Sequence, residues 1–254
     1  MQINRYERGL KDRVAVVTGA AYGNGRALCE RLAEEGARLV IADIADLTET
    51  AALVRAAGAD VLSRTVDCTN PSDVLAMVDA AVERFGGIDI LVHNVGHYSE
   101  EPFDLLAFDE WQRTMHLTLD SLFHVLKATI PVMKRAGFGR IITFSSDTVW
   151  LGTPYLAHYV TAKMGVIGLT RSLASEIGRY GITINTITVG LTATHRPQNS
   201  PAMSSILEHI LPQQAVHRSD EPEDIANVVA FLALPASGII TGQTINVDGG
   251  VARH

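Results

Sequence analysis

Cysteine is scarce, long apolar runs are missing and positive charge is in deficit, and each shortage closes off a class of function. Only Cys29 and Cys68 occur in 254 residues. They fall in a predicted helix and near a predicted strand end, with no metal-ligand spacing, so no metal site is expected. A reducing cytoplasm is the simplest compartment. No apolar stretch reaches membrane-spanning length without a charge or a glycine break. The segment from Met1 to Arg13 is polar and mixed in charge, without the apolar stretch of a signal peptide. Net charge is −7 and no basic run is present, which argues against nucleic acid and anionic membrane as partners. What the chain does have is a 47% hydrophobic fraction, ample for a sizeable core at a length that suits one large α/β domain.

Short β-branched runs alternate with helical patterns almost throughout. Strands are expected at Arg13–Thr18, Arg38–Ala42, Val61–Val66, Ile88–His93, Arg140–Ser145, Thr183–Ile187 and Thr244–Val247. Helices are expected at Asn24–Glu35, Leu47–Ala57, Pro71–Phe85, Phe108–Met133, Tyr155–Tyr180 and Pro222–Leu234. Pro71 sits in a first turn, and Gly36, Gly58, Gly86 and Gly181 close helices. The Phe108–Met133 stretch is expected to break or end near Pro131. Alternation of this kind implies a parallel sheet covered on both faces, with right-handed crossovers. The one long irregular region runs from Gly190 to Asp220. Its apolar positions Met203, Ile206, Leu207, Ile210 and Leu211 suit a short amphipathic helix, hence a lid over an apolar substrate at about 190–220.

Thr18-Gly19-Ala20-Ala21-Tyr22-Gly23-Asn24-Gly25 lies between the first strand and the first helix. Glycines there let the backbone approach a pyrophosphate, and the helix N-terminus supplies positive potential. The spacing is G-x-x-x-G-x-G rather than G-x-G-x-x-G. Asp43 ends the second strand. An acid there can accept hydrogen bonds from ribose hydroxyls and repel a 2′-phosphate. No Arg or Lys occupies Ala20 to Asn24 or the residues just after Asp43, so NAD is expected rather than NADP. Tyr159 and Lys163 sit one helical turn apart and share a face, and Ser146 lies thirteen residues upstream. An ammonium beside a phenol favours the phenolate and lowers its pKa from about 10, giving a proton donor and acceptor usable near neutral pH.

Together these residues resemble the short-chain dehydrogenase/reductase family, in its single-domain branch, over nearly the whole chain. TGAAYGNG looks like the family's cofactor turn. Asp67 and Cys68 match a pair that lies near adenine in relatives, and His93-Asn94-Val95-Gly96 looks like N-N-A-G. Ser146, Tyr159 and Lys163 match the catalytic serine, tyrosine and lysine. Asn185 to Gly190 resembles N-x-x-x-P-G, and the segments Ile240–Gln243 and Val247–Gly250 resemble the C-terminal signature. The resemblance implies an α/β fold class: one Rossmann-type, doubly wound, parallel seven-stranded domain over residues 1–254, with helices on both faces. It implies that Tyr159 transfers the proton at the substrate oxygen and Ser146 orients that oxygen. Lys163 would hold the ribose hydroxyls of the nicotinamide half. Thr18, Gly19, Tyr22, Gly23, Asn24, Gly25, Asp43, Asp67, Cys68, Asn94, Val95, Gly96, Val189, Gly190, Thr192 and Thr194 would join Tyr159 and Lys163 around NAD, with Thr194 at the carboxamide. A homotetramer is the usual assembly, built on the long central helices and the C-terminal strand.

Three positions depart from the family pattern. Thr118 stands where relatives carry a catalytic asparagine, and its hydroxyl cannot reproduce an amide's paired donor and acceptor. The proton relay behind the lysine is therefore expected to be altered, or to use a backbone carbonyl there. His93 replaces the first asparagine of N-N-A-G, with an expected effect on sheet-edge hydrogen bonds rather than on chemistry. Val189 replaces the proline of the P-G turn, which loosens the backbone.

For the substrate, His97 and Tyr98 follow the fourth strand, where ligands of open α/β sheets bind, and Trp150 and Tyr155 are candidate pocket walls. Tyr155 is placed on Tyr159's helix face by its i−4 spacing. His116, Asp120 and His124 read as a partly exposed helix face rather than a metal site, and His158 is given no catalytic role. An apolar or aromatic ketone or secondary alcohol fits these residues. The SSDTVWL, HYVTAK and VDGGVARH stretches look similar to NAD-dependent secondary alcohol dehydrogenases of the 1-phenylethanol dehydrogenase type. The alternatives are a 3-oxoacyl-carrier-protein reductase and, from another class, a catalytically weak NAD-binding sensor.

Overall fold

Val14–Thr18 has no polar face, and the structure buries all five residues as the inner strand β1. The chain is described by a computed structural model that covers residues 9–192 and 210–253. Six further strands follow: β2 (Arg38–Asp43), β3 (Val61–Thr65), β4 (Ile90–His93), β5 (Gly139–Ser146), β6 (Ile182–Val189) and β7 (Thr244–Val247). All pair in parallel, in the order β3-β2-β1-β4-β5-β6-β7. The order reverses between β1 and β4, and that crevice is where such sheets bind ligands.

The helices are α1 (Gly23–Glu34), α2 (Thr48–Ala56), α3 (Pro71–Phe85), α4 (Phe108–Met115), α5 (Ser121–Ala136), α6 (Thr148–Leu151), α7 (Ala157–Ile177) and α8 (Pro222–Ala233). Alternate residues of each strand serve opposite faces. Ala15, Val17 and Ile41 pack with Leu28 and Leu32 of α1, Val54 of α2 and Val229 of α8. Val16, Val40 and Leu91 pack with Met77 of α3, Val125 and Met133 of α5 and Val166 of α7. Both faces of the inner strands β1, β2 and β4 are therefore dry, which is why those sequences carry continuous apolar runs.

Two expected boundaries are corrected. Pro131 does not break its helix but lies inside α5, which runs on to Ala136 and ends at Gly137 in the left-handed region (φ 67°). The irregularity falls earlier, in a π turn at His116–Asp120 between α4 and α5. Ser121 N–H reaches back five residues to His116 O, and Ser121 Oγ donates to Leu117 O at 2.8 Å. Nor does α7 begin at Tyr155. That residue has φ +65°, and the helix starts at Ala157. The i−4 argument for Tyr155 does not apply, because it stands outside the helix and is exposed.

The β1–α1 turn depends on glycine at two points. Gly19 has φ +69°. A Cβ on Gly25 would lie 1.8 Å from Gly19 O, so α1 can approach β1 this closely only without a side chain there. Gly25→Ala should destabilise the protein by about 1–3 kcal/mol and weaken dinucleotide binding. Thermal melts and calorimetric titration check this, and an unchanged melting temperature with unchanged affinity would contradict the packing described.

Candidate active site

The first helix turn, the end of β2 and the end of β4 are tied into one surface by side chains reaching backbone. Asp43 at the end of β2 accepts Ala21 N–H on Oδ2 and Ala45 N–H on Oδ1, both at 3.0 Å. Asn94, just past β4, donates from Nδ2 to Gly19 O at 3.1 Å. His93 is buried in the central strand β4, not at a sheet edge. Its Nδ1 lies 2.9 Å from Thr18 Oγ1 and its Nε2 3.3 Å from Ser121 Oγ. Since the Ser121 proton goes to Leu117 O, Nε2 must be the protonated nitrogen and Thr18 the donor to Nδ1. Burial, then the Lys163 charge, pushes this imidazole down to about 3, so it is a neutral bridge between β1, β4 and α5.

These residues fit a dinucleotide. Asn24 Oδ1 is buried with no hydrogen-bond partner in the structure. A Cβ on Gly96 would stand 3.1 Å from Lys163 Nζ, so the floor between the turn and the lysine is open only because Gly96 has none. Asp67 caps its own turn, accepting Thr69 N–H and Oγ–H at 2.9 and 2.7 Å. Cys68 is buried, its thiol raised to about 12 by burial and the Asp67 charge, and unreactive. Val95 is half-buried against the α3/α5 core. Tyr22 is exposed at the N-cap of α1. Val189 ends β6, and Gly190 is packed so tightly that a Cβ would meet Asp220 Oδ2 at 2.5 Å. Thr192 pairs with Asp220, whereas Thr194 and the lid positions Met203, Ile206 and Leu207 lie outside the described residues.

Lys163 stands beside Tyr159 and bonds the end of β5, the strand that Ser146 closes. Lys163 is buried and donates to Phe144 O on β5 at 3.1 Å. Ser145 Oγ returns a bond to Lys163 O at 2.9 Å. Lys163 Nζ stands 5.8 Å from the Tyr159 ring centroid. Thr118 is buried in the π turn, its Oγ1 accepting His97 N–H at 3.4 Å. Tyr98 stands edge-on to Tyr159, ring centroids 5.2 Å apart at 80°. Trp150, on α6, donates from Nε1 to Asn246 Oδ1 at 3.2 Å, which directs it toward β7 and the C-terminal turn.

A network absent from the sequence reading holds Tyr98 in place. Ser99 Oγ donates to Glu110 Oε1 at 2.6 Å, and His97 Nε2 reaches the same oxygen at 2.7 Å. The Ser99 proton being spent, His158 Nε2 must donate to Ser99 Oγ across 2.9 Å. Fully buried His158 thus locks the β4–α4 loop onto α7. Glu101 N–H adds a bond to Tyr155 O at 2.9 Å. Isolated polar residues sixty positions apart carry no periodicity, so only the fold reveals the set. His116 and Asp120 bond each other at 3.0 Å on an exposed face.

A profile of the family described as enoyl-(acyl carrier protein) reductase matches residues 19–252. The chain is 38% identical over 245 residues to subunit BbsD of the hydroxy(phenyl)methylsuccinyl-CoA dehydrogenase of Thauera aromatica, covering 95% of this chain and 97% of that one. It is 35% identical over 244 residues to the 3-oxoacyl-acyl-carrier-protein reductase FabG of Vibrio cholerae, covering 95% and 98%. The crystal structure of levodione reductase superposes with a TM-score of 0.89 at 32% identity, covering 95% and 98%. A double mutant of a Serratia marcescens short-chain dehydrogenase/reductase does so at 0.89 and 31%, covering 96% and 100%. The chain belongs to the short-chain dehydrogenase/reductase family. Proteins of this oxidoreductase family bind a nicotinamide cofactor, NAD or NADP.

In this family member the lysine is buried at a cost. Burial pulls the Lys163 ammonium down from 10.5 to about 8. The folded protein therefore binds that proton less tightly than the unfolded chain, and the destabilisation is present below pH 8 and relieved as pH rises toward the unfolded value. At ~1.4 kcal/mol per unit the cost is on the order of 3 kcal/mol near neutrality. In cofactor-free protein, Lys163→Met should raise the melting temperature at pH 7, and the gap should narrow toward pH 10. Melting curves over that range check it, and a less stable variant at pH 7 would refute it.

Proposed function

We propose that this protein is an NAD(H)-linked oxidoreductase that interconverts a secondary alcohol and a ketone, with Tyr159 moving the proton at oxygen. The observation that carries the reading is the buried Lys163 ammonium beside the Tyr159 ring, on the rim of the Gly96 cradle. A bound nicotinamide supplies or takes up the hydride. In reduction, Tyr159 gives its phenolic proton to the carbonyl oxygen, and the Lys163 charge stabilises the phenolate left behind. Ser146 places a second hydrogen bond on that oxygen. In oxidation the phenolate takes the alcohol proton. Thr118, holding the His97 amide, keeps the loop above Lys163 in place. The catalytic set is Ser146, Tyr159, Lys163 and Thr118.

The preference for NAD is supported by Asp43 standing over the turn and by the commitments of Arg26, the cation nearest it in sequence. Arg26 bonds Ala21 O at 3.0 Å and pairs with Glu49 at 2.7 Å, which neutralises it against a 2′-phosphate. An apolar or aromatic substrate is supported by Tyr98 beside Tyr159 and by the phenyl-bearing substrate named for BbsD. The second reading, reduction of a 3-oxoacyl thioester on a carrier protein, is favoured by the similarity to FabG. We further propose a single domain with a lid near 190–220 and a cytoplasmic homotetramer. Exposed Phe108 and Phe123 on α4 and α5 give the tetramer apolar surface to bury.

A panel of aryl ketones, secondary alcohols and 3-oxoacyl thioesters, assayed with each dinucleotide, separates the readings. Turnover of aryl ketones with NADH is expected. Tyr159→Phe should then lower kcat by about 10²–10⁴-fold while the dinucleotide still binds. No turnover on any member would leave only a binding role, the sensor reading. Asp43→Ala should lower the NAD/NADP ratio of kcat/KM by about tenfold or more, the scale of one or two lost hydrogen bonds. An unchanged ratio would remove Asp43 from cofactor choice.

A further inference from the structure

Ser146 must offer a hydrogen bond to the substrate oxygen, yet its single proton is already engaged. Its oxygen accepts Thr148 Oγ–H at 2.9 Å and Thr148 N–H at 3.3 Å. Its own hydroxyl donates to Asp147 Oδ1 at 3.2 Å. A serine has one proton and two lone pairs. While Asp147 is ionised, its carboxylate draws that proton, and Ser146 can present only a lone pair to an incoming group in place of the long Thr148 N–H contact. Once Asp147 carries a proton, it can donate to Ser146 Oγ, and the serine proton is released to the pocket.

We propose that Asp147 is a positioning residue that sets the hydrogen-bond polarity of Ser146. With Asp147 protonated, the serine proton is free for the substrate oxygen. With Asp147 ionised, the carboxylate holds that proton and the donor is lost to ketone and alcohol alike. The proposal rests on the alcohol–ketone reading above and adds to it a residue that gates the serine donor.

The surroundings of Asp147 favour such a two-state carboxyl. It is 8% exposed, and its backbone N–H is fixed to Val189 O at 3.2 Å on β6. The charged groups facing it are acidic. Asp248, in the turn after β7, is itself buried with its oxygens taken by Gly250 N–H and Ala252 N–H, each at 2.9 Å. Asp220, ahead of α8, is buried with Oδ2 unpartnered. Behind Asp220, Arg218 is held by Asp224 at 2.6 Å. On the α7 side, Lys163 points to Phe144 O. Among the described residues no cation pairs with Asp147. Burial, reinforced by the Asp248 charge and opposed by the Ser146 bond, raises its carboxyl to about 6. Burial and its acidic neighbours, Asp147 among them, raise Asp220 to about 7.

Below pH 6 Asp147 is protonated and Ser146 is a donor, and above it the carboxylate holds the serine proton. In the wild type, kcat/KM for ketone reduction should fall as pH rises through about 6, and alcohol oxidation should carry the same fall beneath the rise that belongs to Tyr159. Asp147→Asn stays neutral and can always donate to Ser146. It should abolish the limb near pH 6 in both directions, leave the limb that belongs to Tyr159, and raise kcat/KM at pH 8 for ketone and alcohol alike by about tenfold. Carbon NMR of the aspartate carboxyls in cofactor-free wild type should show one resonance titrating near 6 that is missing from the variant. Asp147→Ser serves as the neutral variant if circular dichroism shows that Asp147→Asn does not fold. A ketone limb that persists in an active neutral variant, or an Asp147 carboxyl that titrates in the ordinary range, overturns the assignment. Absence of wild-type turnover on every alcohol and ketone would instead overturn the proposed function, together with the role that rests on it.

Discussion

The hydrogen bonds exchanged between the end of β5 and α7 set the geometry on which every other feature of the site depends. Lys163 donates to Phe144 O, and Ser145 donates back to Lys163 O. One bond alone would allow the helix to slide or roll on the sheet. Two bonds of opposite direction, on adjacent strand residues and a single helix residue, fix both the register and the rotation of α7. Once that register is fixed, Tyr159 lies one turn back along α7, and Ser146 is the next residue of the strand. The lysine so used is desolvated, and burial lowers its pKa. Stability is given up locally so that a largely desolvated cation can sit beside a phenol, where its charge acts more strongly than in water.

The same trade recurs across the crevice. Gly25 against Gly19 O, Gly96 against Lys163 Nζ and Gly190 against Asp220 Oδ2 are close approaches that a methyl group would end. Each lies at the carboxyl end of the sheet, the first two around the point where strand order reverses and the third past the end of β6. The floor is therefore made of backbone, held by side chains that bond backbone: Asp43 to Ala21 and Ala45, Asn94 to Gly19, His93 to Thr18. Rigid peptide dipoles at the N-terminus of α1 suit an anionic ligand without requiring charged side chains, in keeping with a chain of net charge −7.

The sheet was legible because its inner strands are buried on both faces. Runs such as VAVVT and ILVH admit no other placement, and the glycine after α3 marks its end. Tyr159 and Lys163 were legible because four residues of helix bring them to one face, a purely local rule. Long-range hydrogen bonding was not. The π turn at His116–Asp120 has no compositional mark, and Pro131, the obvious breaker, is accommodated within α5. Tyr155 followed the helical spacing and yet adopts positive φ outside the helix. Ser99, Glu110 and His158 have no reason to be associated until β4 and α7 are adjacent, and Asp147, Asp220 and Asp248 come from three separated segments.

The π turn gives Thr118 a different meaning from a simple loss of an amide. Widening the helix by one residue shifts the pairing of its backbone carbonyls, and here Ser121 supplies a side-chain donor to Leu117 O. Ser121 is in turn the acceptor for His93, whose other nitrogen takes the Thr18 proton at the cofactor turn. Thr118 meanwhile receives the His97 amide. Two of the three positions expected to depart from the family pattern, His93 and Thr118, thus meet at one place. A neutral imidazole spans the distance from the glycine-rich turn to the π turn, and the smaller threonine accepts the loop that carries Tyr98 over Tyr159. The two residues form one wall behind Lys163, in which histidine braces the turn and threonine holds the loop that carries Tyr98.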